Sequence, residues 1–200
     1  MKPIRFLFGL LLAGLTALPA AADKLSLTAL SGYLNGLTTL EAEFTQINAD
    51  QTISTGTIKI HRPGRARFEY NPPEETLVIA GGQQLGVFDG KSNTGPEQYP
   101  LRETPLNLIL ERNVDLARSG MVVGHSFDGT ATVVTAQDPD FPEYGTIQLM
   151  FTANPVELRQ WVITDGGGAQ TTVILGELKT GMQFNTATFS ISAEISRRNR

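Results

Sequence analysis

Gly56-Thr57-Ile58-Lys59-Ile60-His61-Arg62-Pro63-Gly64-Arg65-Ala66-Arg67-Phe68-Glu69-Tyr70-Asn71-Pro72-Pro73 is the stretch on which the fold turns. Polar and apolar residues alternate from Thr57 to Arg62, the period of a strand with one wet and one dry face. Ile58 and Ile60 occupy the dry face, and Arg62 follows on that same face; His61 falls on the wet one. After the Pro63-Gly64 break a second alternating run puts Ala66, Phe68 and Tyr70 on one side and Arg65, Arg67 and Glu69 on the other. A guanidinium at the end of an apolar row is costly unless several acceptors meet it, so an inward Arg62 should have a task. Periodicity alone leaves a second reading open, in which the strand has frayed and Arg62 lies in water.

Outward from this stretch, most of the chain reads as short antiparallel strands. Thr39–Ile47 is one, with Phe44 as its large anchor; Gln46 shares that face, either as a satisfied interior amide or at a bend on the surface. Further candidates are Leu77–Ala80, Gln84–Phe88, Met121–Ser126, Thr130–Ala136, Gly145–Phe151, Val156–Ile163, Thr171–Leu175 and Ala187–Ile195. The last alternates cleanly, with Ala187, Phe189, Ile191, Ala193 and Ile195 on one face. Gly81-Gly82, Asp89-Gly90, Asp128-Gly129 and Asp165-Gly166-Gly167-Gly168 punctuate them as turns. This spacing predicts a mainly β fold, a barrel or a strongly curved sheet.

Helices are few. Leu25, Leu27, Ala29, Leu30, Leu34 and Leu37 line one stripe, with Ser26 as cap and Gly36 as stop. Thr104 and Pro105 are placed to cap and open a second helix whose apolar side is Leu106, Ile109 and Leu110. Asp115 is placed to cap a third, very short one before Gly120. A β shell with a few amphipathic helices is either a cup with a cover or a core plugged by helices.

The N-terminus sets the expected compartment. Lys2 and Arg5 precede an apolar run from Phe6 to Leu18, and Ala20-Ala21-Ala22 offers a small-residue cleavage site before Asp23. That is the layout of a secretory signal peptide over residues 1–22, with a single domain expected over 23–200. The chain has no cysteine, hence neither a disulfide nor a lipidation cysteine. Without Lys2 and Arg5, 14 basic residues face 20 acidic ones. That balance, with no basic patch interleaved with aromatics, argues against nucleic acid.

Chemistry is scarce. His61 and His125 are the only histidines, and Ser126 and Asp128 beside His125 are neighbours on one turn, not a triad assembled from separate elements. No metal site, cofactor site or enzyme activity is expected. Asp138, Asp140 and Glu143 lack the rest of a calcium loop and read as a turn.

Phe44-Thr45-Gln46, the run from Gly56 through Arg62-Pro63, the Phe68-to-Pro73 exit, Thr104-Pro105-Leu106 and the terminal Phe189/Ile191 alternation together resemble the LolA family of periplasmic lipoprotein carriers. The resemblance covers essentially the whole chain after residue 22. It implies an incomplete antiparallel β-barrel with a helical lid over an apolar cavity that takes the acyl chains of lipoproteins. Arg62 matches the family's lid latch, and Phe68 its aromatic at the end of the next strand. The dry faces and the lid helix then make Phe44, Ile58, Ile60, Phe68, Tyr70, Leu106, Ile109 and Leu110 the expected cavity lining. The partners it implies are lipoproteins, an inner-membrane lipoprotein-releasing ABC transporter and an outer-membrane acceptor lipoprotein, with the carrier acting as a monomer. The alternative within the same fold is a lipid- or lipoprotein-binding sensor or regulator. Gly64, Arg65 and Arg67 depart from the more apolar or neutral residues of better-known members, and Ala66 is the nearest match to their exposed handover side chain. An esterase is disfavoured because no nucleophile elbow is visible.

Overall fold

The computed structural model describes residues 23–92, 94–118 and 120–199; the signal peptide expected over 1–22 lies outside the described residues. Its strands are β1 (Thr39–Ile47), β2 (Ile53–His61), β3 (Ala66–Tyr70), β4 (Leu77–Gly81), β5 (Gln84–Phe88), β6 (Glu97–Pro100), β7 (Val122–Phe127), β8 (Thr132–Gln137), β9 (Thr146–Ala153), β10 (Val156–Thr164), β11 (Gln170–Leu175) and β12 (Lys179–Thr180). The helices are α1 (Leu27–Gly36), α2 (Asn107–Leu110) and α3 (Ile191–Arg198). All pairings are antiparallel, in the order β6-β5-β4-β3-β2-β1-β11-β10-β9-β8-β7, with β12 added beside β1. β6 and β7 form the two ends of this path and do not pair with each other, so the sheet is an incomplete barrel. The segment from Leu101 to Met121, which carries α2, runs from one open edge to the other.

Alternation sets the interior. Leu40, Ala42 and Phe44 on β1, Ile58 and Ile60 on β2, and Ala66 and Phe68 on β3 are all buried in one cluster. Leu30 and Leu34 of α1 and Leu106, Leu108, Ile109 and Leu110 around α2 pack into the same cluster from the helical side. Gly56 lies opposite Phe44 in the β1–β2 ladder. A Cβ there would come within 2.8 Å of the Phe44 ring, so glycine makes room for that ring to lie across the strand. Ser26 caps α1 as expected, its hydroxyl accepting from the Ala29 amide at 3.2 Å.

Four expectations need correction. The segment from Ala187 to Ile195 is not a strand: a 3-10 turn at Thr186–Phe189 leads into α3, which the Ser190 side chain caps. Ile191 and Ile195 are four apart, a spacing that suits a helix as well as a strand. They dock on Leu77, Ile79 and Phe88 on the outer side of the sheet, which favours the helix. Thr104 does not cap α2, because its hydroxyl donates back to the Leu101 carbonyl; helical bonding tightens only from Asn107. Asp115 folds its own loop, accepting from the amides of Ala117 and Arg118, and no helix forms there. His61 is not fully wet: half-buried, its ring packs beside the Phe184 and Phe189 pair, with Nδ1 buried and unpartnered.

Candidate functional site: a buried arginine beneath the helical cover

Arg62 lies just past the end of β2, where its backbone amide donates to the Thr38 carbonyl. The hairpin that follows needs Gly64 at positive φ, and the Gly64 amide donates to the Leu110 carbonyl of α2 at 2.8 Å. The barrel thus touches the helical segment through the backbone of the Pro63-Gly64 turn and through the Arg62 side chain. That side chain is only 9% exposed. One terminal nitrogen donates to the Leu34 carbonyl in the last turn of α1. The other donates to the Glu111 carbonyl just after α2 and to Asn35 Oδ1 at 3.3 Å. These acceptors come from both helical elements, so one cation ties α1 and the α2 segment to the barrel rim. Two of them are main-chain oxygens at helix C-termini, where the partial negative charge of the helix end favours a cation.

Burial tends to lower the Arg62 pKa, and the nearby Glu111 carboxylate opposes this. The Glu111 carboxyl is itself pushed up by burial and by Asp138, against the pull of Arg62. A guanidinium starts so far above neutrality that Arg62 stays charged at any physiological pH. It therefore acts as a donor fork that a lysine could not reproduce.

Beneath this tie lies the apolar set read from the sequence. Phe44, Ile58, Ile60, Phe68, Leu106, Ile109 and Leu110 are buried together, and Tyr70 packs at the edge of the same cluster. The Phe44 ring meets Phe68 at 5.8 Å and Tyr70 at 5.1 Å, both edge to face. The Tyr70 hydroxyl donates to Gln46 Oε1 at 2.7 Å and Gln46 Nε2 donates to Asn48, so Gln46 is a satisfied, half-buried amide at the edge of this interior. Burial lifts the Tyr70 phenol to about 12. Phe68 also faces Trp161 edge-on at 6.4 Å. Trp161, together with Val134, Leu149, Phe151 and Val173, belongs to this interior and was missed in the sequence, although alternation along β8 to β11 carried the signal. Here these side chains pack on one another. A separate cleft of about 460 Å³ opens beside the tie, bounded by Gly64, Gln84, Leu101, Asn107 and Glu111. Among the described residues no helix is long and apolar enough to cross a membrane.

Residues 35–192 match the family model for the outer membrane lipoprotein carrier protein LolA. An outer-membrane lipoprotein carrier protein of Pseudomonas paraeruginosa is 26% identical over 200 residues, covering 95% of this chain and 94% of that one. One from Coxiella burnetii is 33% identical over 114 residues, 54% of each chain. Among solved structures, a DUF1329 family protein from Desulfovibrio piger superposes with a TM-score of 0.51 at 9% identity, covering 84% of this chain and 95% of that one, a likeness of fold. With an open antiparallel barrel, a helical cover and a family match over most of its length, the chain belongs to the LolA family.

Proposed function

We propose that this chain is a periplasmic, non-enzymatic carrier. It binds the acyl chains of lipoproteins released from the inner membrane and delivers them to the outer membrane. The observation that carries the reading is Arg62, a buried cation whose acceptors lie on the two helical elements that cover a continuous apolar interior. In this reading residues 1–22 direct export and are removed near Asp23, and residues 23–200 act as one domain. The donor is a lipoprotein-releasing ABC transporter and the recipient an outer-membrane acceptor lipoprotein.

The energetics are compatible with a shuttle. Each charge-assisted hydrogen bond of the latch is worth about 1.5–3 kcal/mol. Each buried acyl methylene contributes about 0.8 kcal/mol. Roughly six to eleven methylenes therefore match a latch of three such bonds. Cargo opens the lid only through its better affinity for the open state, and closing the latch helps to expel it.

The test is recovery of lipoproteins from spheroplast supernatant with the tagged protein. Several different lipoproteins, soluble only in its presence, are expected. A single glycolipid or one signalling protein would instead indicate a sensor, and no acylated ligand at all would sink the carrier.

A further inference from the structure

Asn35, near the end of α1, is exposed, so core packing does not explain an amide there. Its side chain meets the segment beyond α2 as a neighbouring strand would. Nδ2 donates to the Val114 carbonyl at 2.8 Å, and Oδ1 accepts from the Val114 amide at 2.9 Å. The same Oδ1 accepts from Arg62 at 3.3 Å. One turn earlier the Ser31 hydroxyl accepts from the Leu116 amide at 2.9 Å. Ser31 and Asn35 are four apart and share a helix face, so α1 grips residues 114 and 116 from one side. Only Asn35 also touches the guanidinium.

We propose that Asn35 is a positioning residue for the Arg62 latch. Arg62 needs two carbonyls from two elements, Leu34 on α1 and Glu111 beyond α2, to converge on one side chain. Asn35 sits next to the first in sequence and fixes the backbone three residues past the second. It sets the register of the segment after α2 against α1, and with it the place of the Glu111 carbonyl. Its contact to Arg62 holds the fork in the plane that reaches both. The inference deepens the lid reading given above and rests on it for its consequence in cargo binding.

Two measurements separate the inference from that reading. The first is solvent exchange of the Arg62 Nε proton, followed by NMR in the empty protein; this nitrogen is buried and has no partner, so its exchange reports local opening. Asn35→Ala should speed that exchange by about 3- to 10-fold, the scale of one hydrogen bond, whereas Ser31→Ala should leave it within about twofold. Asn35→Asp keeps an acceptor for both Arg62 and the Val114 amide but loses the donor to the Val114 carbonyl, so exchange should fall between wild type and Asn35→Ala. The second is the dissociation constant for a fluorescent palmitoylated lipopeptide. Asn35→Ala should tighten it by about 3- to 10-fold in the wild-type background and add nothing in Arg62→Leu, since the two act through one interaction. Unchanged exchange in Asn35→Ala, or full additivity with Arg62→Leu, would overturn the assignment. Faster exchange in Asn35→Ala, with lipopeptide binding untouched by it and by Arg62→Leu alike, would uphold Asn35 as the residue that positions Arg62 and overturn the latch.

Discussion

Arg67 on β3 and Glu194 on α3 form an ion pair at 3.5 Å across the outer face of the sheet. Glu194 is 5% exposed and also takes Arg197 at 2.5 Å and Arg198 at 3.1 Å. Arg67 bridges onward to Glu69 at 2.8 Å, and Glu69 to Lys59. The Arg198 guanidinium lies over the Phe88 ring at 4.8 Å. These contacts fasten α3 where Ile191 and Ile195 cover Leu77, Ile79 and Phe88. β4 is thus covered on both faces, by the core inside and by α3 outside.

Removing the anion at the centre of this network should loosen α3. Glu194→Ala leaves three guanidiniums around an empty place, although Arg67 keeps Glu69. The expected cost is about 1–3 kcal/mol in urea unfolding, a fall in Tm of roughly 2–4 °C per kcal/mol for a protein of this size. A change below about 0.5 kcal/mol would mean that α3 is held by Ile191 and Ile195 alone.

Stability should decline in two steps on acidification. His61 is held below its ordinary 6.5 by burial and then by Arg65. Its folded pKa is depressed, so the stability tied to its neutral form is complete above 6.5 and is lost as pH falls below it. Burial alone would raise the Glu194 pKa, but Arg197, Arg198 and Arg67 outweigh it and hold the carboxyl below the usual 4.5; Glu69 behaves likewise with Arg67 and Lys59. Their contribution is complete above 4.5 and is lost as pH falls through the lower folded values. Glu111, pushed up, runs the other way and loses its contribution as pH rises. Calorimetric Tm values across this range should show both steps. His61→Leu should flatten the upper step and spare the lower; an unchanged upper step would assign it to another group.

Arg62→Leu removes the donors that favour the closed, empty state, worth roughly 1.5–3 kcal/mol per charge-assisted bond. Uptake of cargo should persist or improve while handover fails, so a soluble complex with lipoprotein accumulates and little lipoprotein reaches the outer membrane. Arg62→Lys should be partly defective, because an ammonium lacks the planar fork. Arg65→Leu is the control: Arg65 donates to the His61 carbonyl and lines a groove beside α3, away from the latch. Normal transfer by Arg62→Leu with trapping by Arg65→Leu would move the latch elsewhere.

Trp161 is the single tryptophan of the chain, 1% exposed and edge-on to Phe68. Acyl chains entering the interior must disturb it, so a palmitoylated lipopeptide should change its emission saturably. Phe68→Glu puts a carboxylate among those chains at a cost of several kcal/mol if it stays charged, and should abolish binding with the β signal in circular dichroism retained. A flat emission titration with lipopeptide demonstrably bound would place the acyl site outside this core.

Much of the fold was legible because an alternating strand writes its own facing. Phe44, Ile58, Ile60, Ala66 and Phe68 could be assigned to the interior from period two alone, whereas the burial of Arg62, which period two left open, was decided by the carbonyls that meet it. Ser26 announced α1 by the chemistry of its hydroxyl. Other features depended on groups far away in the chain. The pattern around Ile191 and Ile195 fits either period, and the apolar outer face of β4 and β5, with Arg67 beside it, decided for a helix. His61 alternates outward as read, but the outward face there is covered by Phe184 and Phe189. The Asn35 contact left no local trace, since an amide at a helix end looks like an ordinary surface residue until Val114 and Arg62 are brought to it. Local periodicity, capping and turn chemistry determined most of the strands and α1, and made an inward Arg62 one of two readings. Tertiary structure alone decided which oxygens meet that arginine and what covers the outer face, because both depend on contacts whose partners are dozens of residues apart.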